Sequence, residues 1–228
     1  MIPAKCKYAM LLASLPKHPL DLFSAKHATL SSIQLQRRLD LLDAHDAADL
    51  ARIESILYWS EHRMGSDADV IAQGQALLAQ IRNAFLRQVI IWRLEQRTVL
   101  AALRQRHLGL PRPQPKSLWG FGQWLPYIEV NWNVPDFGLG RRIPWVVPMQ
   151  ELLAANKTLE LEKLVLNLIW KHYARQKHNH FFDFEAVVIY VFRWDIINRW
   201  LHYSKPEAAL RFDELVRDGL GTFADVCH

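Results

Sequence analysis

Residues 66–109, SDADVIAQGQALLAQIRNAFLRQVIIWRLEQRTVLAALRQRHLG, decide the class of fold. Val70, Leu77, Leu78, Ile81, Phe85, Val89, Trp92, Val99 and Leu103 recur at three- and four-residue steps, the period that lines up one face of an α-helix. Ser66, with Asp69 three positions on, offers an N-terminal cap, and Gly109 followed by Pro111 stops the run. The pattern predicts one long amphipathic helix. The segments before it agree: Asp46 is expected to cap a shorter helix carrying Leu50, Ile53, Ile56 and Leu57 and ending near Gly65, and residues 27–43 read as helix with a weaker period. The opening apolar run from Tyr8 to Pro16 is too short for its pattern to choose between strand and helix.

The region beyond Gly109 is of another kind. Between Gly109 and Pro148 lie seven prolines (Pro111, Pro113, Pro115, Pro126, Pro135, Pro144, Pro148) and five glycines, which disfavour both long helices and central strands. The same stretch holds Trp119, Trp124, Trp132 and Trp145, four of the chain's nine tryptophans, whereas flexible linkers are poor in large apolar rings. It therefore reads as an ordered, irregular insert that packs. Further on, Leu152, Leu161, Leu164, Val165, Leu168, Ile169 and Tyr173 predict a helix over about 149–176. Asp183 is placed to cap the next, with Val187, Val191, Trp194, Asn198 and Leu201 on one face; the β-branched run 187–191 would also suit a strand, but the segment outlasts the usual strand length. Ser204 with Glu207, Pro206 in the first turn and Gly219 frame a last helix. The expected fold is mainly α, a single helical domain over 1–228. It has helical halves at 1–108 and 149–228 and the Pro/Gly/Trp-rich insert at 109–148 between them.

Composition narrows the function classes. The chain has 228 residues, half of them hydrophobic, which rules out general disorder and allows a sizeable core. With 28 Lys and Arg against 23 Asp and Glu, the net charge of +5 permits an acidic partner without demanding one. No apolar run reaches the roughly 18 to 20 residues of a spanning helix, so direct membrane insertion is not expected. Cys6 and Cys227 make no disulfide framework and have no neighbour in sequence that would activate a thiolate. They read as inert thiols in a reducing, cytoplasmic setting.

Candidate chemistry is sparse. His172, His178, His180 and Asp183 offer imidazoles and a carboxylate within twelve positions, a set that could hold zinc. Their spacing matches no HExxH or cysteine-rich signature, so a polar connection between helices with Asp183 as its cap is the simpler reading, and no metal or other cofactor is expected. The two GxG sequences, at Gly120 and Gly138, lack the preceding strand and following helix of a phosphate cradle and read as turns. On a continuous helix at about 100° per residue, Arg82, Arg93, Arg97 and Arg104 fall within a sector of about 60° beside the apolar face. Such a stripe suits recognition of carboxylates or phosphates, or pairing with acids of neighbouring helices. Binding of single-stranded nucleic acid is the alternative it suggests, although no nucleic-acid-binding signature accompanies it, and a histidine-based zinc hydrolase is a more remote one.

Residues 183–200, from Asp183 through Glu185-Ala186, Tyr190 and Asp195-Ile196-Ile197-Asn198-Arg199 to Trp200, resemble the C-terminal signature of the C (eukaryotic d) subunit of V/A-type ATPases. Tyr8 to Pro16 is similar to the opening of an uncharacterised bacterial family whose members are typically encoded beside V-type ATPase subunits. The resemblance implies a non-enzymatic, all-α adaptor that joins the central shaft of the ATPase to its membrane rotor ring, shorter than the three-lobed C subunit, with at least one helical lobe missing or reduced. It implies those shaft and ring subunits as partners and a place at the inner face of the plasma membrane. Glu185, Asp195, Asn198 and Arg199 join the arginines as candidate contact residues, and nucleic acid is not an expected partner.

Overall fold

The computed structural model describes residues 7–57, 67–113 and 119–202. Cys6, Gly65, Ser66, Pro115, Cys227, the helix framed by Ser204 and Gly219, and the side chains of Ile56 and Leu57 lie outside the described residues. The fold is mainly α, and no strand occurs among the described residues. In chain order the helices are α1 (Ala9–Ala13), α2 (Ser32–Leu39), α3 (Ala44–Leu57), α4 (Asp67–Gln80), α5 (Ala84–His107), α6 (Leu125–Val130), α7 (Val146–Ala154) and α8 (Thr158–Gln176). A further helix, α9, covers 184–202. No described helix is long and apolar enough to cross a membrane. The chain packs as two compact units, a middle unit of Leu42–Leu168 and a terminal unit that joins Met1–Leu41 to Ile169–His228. Composition and packing thus divide the chain at different places, and the insert lies wholly in the middle unit.

In the middle unit α3, α4 and α5 pack on one another, and α5 also packs on α6 and α7. The single long helix expected over 66–108 is in fact two. Residues 81–83 are not helical, and Asn83, in extended conformation, caps α5 by accepting from the Leu86 N–H at 3.1 Å. Arg87 closes the break from the other side, its Nη1 donating to the carbonyls of Leu78 and Ile81 at the end of α4. The two helices lie close where Gly74 meets Leu94, since a Cβ on Gly74 would stand 2.7 Å from a Leu94 methyl. The helix expected over 149–176 is likewise two, α7 and α8. Asn156 takes a left-handed φ of 54°, the Asn156 N–H reaches Leu153 O and the Lys157 N–H reaches Leu152 O, a Schellman end that terminates α7. Gly109 ends α5 in the same way, with φ 69° and Leu110 N–H on Gln105 O. At α3 the cap is Asp43, whose Oδ1 accepts from the Asp46 N–H at 2.8 Å; Asp46, the expected cap, stands in the first turn.

The insert packs as its tryptophans require. Trp119, Ile128, Trp132, Phe137, Leu139, Ile143 and Val146 are buried against Val99, Ala102 and Leu103 of α5, with Met149 and Leu161, while Trp124 and Trp145 are half-buried on the same cluster. Contrary to the expectation of wholly irregular chain, α6 forms here, with Pro126 in its first turn, where the missing N–H is no loss. After it the backbone is a series of tight turns, among them Phe137 N–H to Val134 O and Arg142 N–H to Leu139 O. Asp136 accepts from the N–H groups of both Gly138 and Gly140, which fixes the turn that holds Phe137 at a left-handed φ of 55°. Complete burial of the Phe137 ring, worth about 1.5–3 kcal/mol, offsets that backbone strain.

The terminal unit is built on α9, which is helical and not strand over 187–191. It buries Phe184, Val187, Val188, Ile189, Val191, Phe192, Ile196, Ile197 and Trp200, more of its circumference than one amphipathic stripe. Asp183 caps it as expected, accepting from the Ala186 N–H at 3.0 Å. Tyr8 to Pro16, open between strand and helix by pattern, contains α1, and Ser31 and Gln34 form a capping box at the start of α2.

Candidate interaction surfaces

The insert and the end of α5 together make an open cavity of about 430 Å³ lined by Leu110, Pro111, Arg112, Glu129, Val130, Trp132 and Asn133. Its walls are fixed by charged side chains that grip backbone carbonyls. Arg106 donates to Val134 O at 2.8 Å and to Asn133 O at 3.5 Å, with its guanidinium 5.9 Å from the Phe137 ring centre, and Arg112 donates to Glu129 O at 3.1 Å. The Glu129 carboxylate accepts from Trp119 Nε1 at 3.3 Å. Arg142 lies 4.6 Å over the ring of Tyr127, a further residue of α6. Around this frame the chain leaves apolar side chains in solvent: Val130 is 81 % exposed, Leu108 70 % and Leu110 48 %, with Val134 and Tyr127 also exposed. Arginines beside exposed aliphatic and aromatic side chains are the composition of protein contact surfaces.

The four-arginine stripe does not survive as drawn. Arg82 stands in the break between α4 and α5, because Asn83 begins a new helix and the phase is lost. Arg93, Arg97 and Arg104 remain on α5 within about 40° of one another. Arg93 and Arg97 are half-buried and engaged by other groups, which leaves Arg104 as the exposed member on the helix. Arg106 and Arg112, which brace the cavity, and Arg142 over Tyr127 carry no periodic signal; the run of prolines and tryptophans around them is their only mark in sequence.

The four proposed metal ligands are not brought together either. His172 packs edge-on against Tyr173 within α8, and His178 is exposed in a 3₁₀ turn, Lys177–Asn179. His180 and Asp183 do meet, Nδ1 to Oδ2 at 2.8 Å, and Glu185 joins them, one ligand atom from each lying within 4.8 Å of the others. Asp183 spends its other oxygen on the helix cap, and the positive end of α9 is a poor setting for a cation. The remaining contact candidates lie along α9. Asp195, Asn198 and Arg199 are half-buried; Asn198 donates to Trp194 O at 3.1 Å, and Asp195 and Arg199 are engaged by other groups.

A cluster of perturbed titratable groups lies in the terminal unit and was not anticipated. His18 stacks on Tyr190 with ring centres 4.0 Å apart and bonds the Tyr190 carbonyl through Nε2 at 3.0 Å. Burial, and then the nearby cations Arg193 and Lys177, lower its pKa to about 4 against the pull of that hydrogen bond, so the imidazole is neutral near pH 7. Burial also pushes the Tyr190 hydroxyl up and brings Arg193 down to about 10. The Arg193 guanidinium lies 3.8 Å over the Trp170 ring and donates to Pro19 O at 3.4 Å, with no carboxylate opposite it among the described residues. These groups tie the loop after α1 to α8 and α9.

A family model described as "Protein of unknown function (DUF2764)" matches residues 67–218. The chain belongs to the DUF2764 family. The match begins at α4 and takes in α5, the insert and α9, so the cavity and its arginines are part of the DUF2764 region. No curated protein and no solved structure matches this DUF2764 chain.

Proposed function

We propose that the protein is a non-catalytic adaptor subunit of a bacterial V/A-type ATPase, similar in role to the central-stalk C/d subunit, and that it meets its partners through the surface around α6. The observation that carries the adaptor reading is that surface: exposed Leu108, Leu110, Val130 and Val134 on a frame braced by Arg106 and Arg112. Bonds from Arg106 and Arg112 to backbone carbonyls brace its turns, which lowers the ordering cost of binding. The choice of machine rests on the resemblance of residues 183–200 and 8–16. In the structure much of the first of these segments is core, which supports a scaffold role for α9 and favours the α6 surface as the place of contact. The arginine stripe offered for a nucleic-acid strand keeps Arg104 exposed on α5, while Arg93 and Arg97 are engaged within the protein. Affinity purification of the tagged full chain from its native membranes tests the reading. It should bring the ATPase catalytic and shaft subunits in fixed ratio, and a preparation free of them would reject it.

A further inference from the structure

The terminal unit carries a second exposed apolar group, of different make. From Lys171 to Phe182 the sequence holds Lys171, Arg175 and Lys177, several histidines and no acidic residue. Lys171, Arg175 and Lys177 are all exposed. After the 3₁₀ turn the chain presents two adjacent rings to solvent, Phe181 at 69 % and Phe182 at 43 % exposure. The base of this tip is firm, since Phe182 O accepts the Tyr8 N–H at 2.9 Å and Asp183 begins α9. Tyr8 is buried and its ring lies 6.5 Å from that of Phe184, while Met10, two residues on in α1, is 86 % exposed. More positive charge borders the tip. Lys177 is close enough to His18 to depress its pKa, and Lys17, the neighbour of His18 in sequence, is exposed. Among the described residues, the acids that follow the tip in sequence are Asp183, committed to its cap and to His180, and Glu185, half-buried beside them.

We infer that the Phe181–Phe182 tip, with Met10 and the cations Lys17, Lys171, Arg175 and Lys177, is a shallow docking site for an anionic lipid bilayer. Two features favour lipid over a protein partner. Lysine is depleted in protein interfaces but is the usual companion of apolar side chains at an anionic membrane surface, where its long stem reaches the headgroups. Adjacent phenylalanines on a loop tip can enter the boundary between headgroup and acyl chain without any complementary cavity. The inference is independent of the ATPase reading, since it concerns other residues and needs no partner protein.

The test is flotation of the purified full chain with phosphatidylcholine vesicles containing about one-third phosphatidylglycerol, against vesicles of phosphatidylcholine alone. Binding to the anionic vesicles, at least about tenfold weaker without the anionic lipid and weakened by salt, is expected. Phe181→Ser with Phe182→Ser should lower it about tenfold or more, and Lys171→Gln with Lys177→Gln about fivefold per lysine, each with an unchanged helical circular dichroism spectrum. Met10→Ser gives the same direction should the phenylalanine pair prove necessary for folding. Absence of binding at low salt overturns the inference, as does binding that ignores both Phe181–Phe182 and Met10. Self-association that depends on the phenylalanines, without vesicle binding, would assign the tip to a protein contact and overturn it as well.

Discussion

Each unit fastens irregular chain to helices, and the centre of α5 does so with the opposite polarity to the helices of the terminal unit, while Arg106 at the end of α5 donates to the insert as well. In the terminal unit the helices supply the donors: Trp170 Nε1 to Leu20 O at 3.2 Å, Arg193 Nη2 to Pro19 O at 3.4 Å and Trp194 Nε1 to Leu30 O at 2.9 Å. In the middle unit α5 supplies acceptors near its centre. Thr98 Oγ1 accepts the Phe121 N–H at 2.8 Å and Glu95 Oε1 accepts the Gln123 N–H at 3.0 Å. The sequences explain the contrast. The loop after α1 contains Pro16 and Pro19, which have no N–H to give, so it is held by its carbonyls with long aromatic and arginine donors. The insert has Gly120 and Gly122 where its backbone meets α5; a Cβ on Gly120 would stand 2.7 Å from the Thr98 methyl, so only glycine lets the neighbouring N–H groups come within reach.

The comparison breaks most severely in the middle unit, where fastening depends on packing as well as on hydrogen bonds. Phe137→Ala removes a fully buried ring that holds a strained turn, and denaturant unfolding should show a loss of about 3–5 kcal/mol. The terminal unit has a pH weakness at His18. His18 is neutral in the fold with its pKa near 4, while the unfolded chain takes up a proton below about 6.5; stability therefore falls as pH drops from 6.5 towards 4, by on the order of 3 kcal/mol. His18→Phe keeps a ring on Tyr190 and should flatten that part of the stability–pH curve. Thr98→Val leaves the part-buried Phe121 N–H without its acceptor and should cost about 1 kcal/mol. Trp194→Phe sharpens the contrast at the small end, since it removes one donor from Leu30 O and should cost about 1 kcal/mol, with the middle unit unaffected in hydrogen exchange.

What the sequence revealed follows from what each signal measures. The three-to-four spacing reports which face is buried, so it identified the helical content and the burial of Val70, Leu77, Ile81, Phe85 and Val89. It is blind to a break that keeps apolar residues in step, and Asn83 and Asn156 each look like a surface position on a continuous helix while in fact one starts α5 and the other ends α7. The tryptophans of the insert correctly signalled packing, because burial is a property of the residue type. The carbonyl-gripping roles of Arg106 and Arg112 depend on which turns come near them, which a single chain of letters does not contain. The same limit applied to His18, separated by 172 positions from the carbonyl that it bonds.

In the proposed role, contact with partners runs through the α6 surface while α9 serves as scaffold. Quantitative affinity purification from native membranes with three tagged forms tests this directly: the unaltered chain, Leu110→Asp with Val130→Asp, and Asn198→Ala. The unaltered chain and Asn198→Ala should retain the ATPase subunits to similar extents, and the aspartate pair should lose them by tenfold or more. Equal retention by the aspartate pair, or loss confined to Asn198→Ala, would contradict that role.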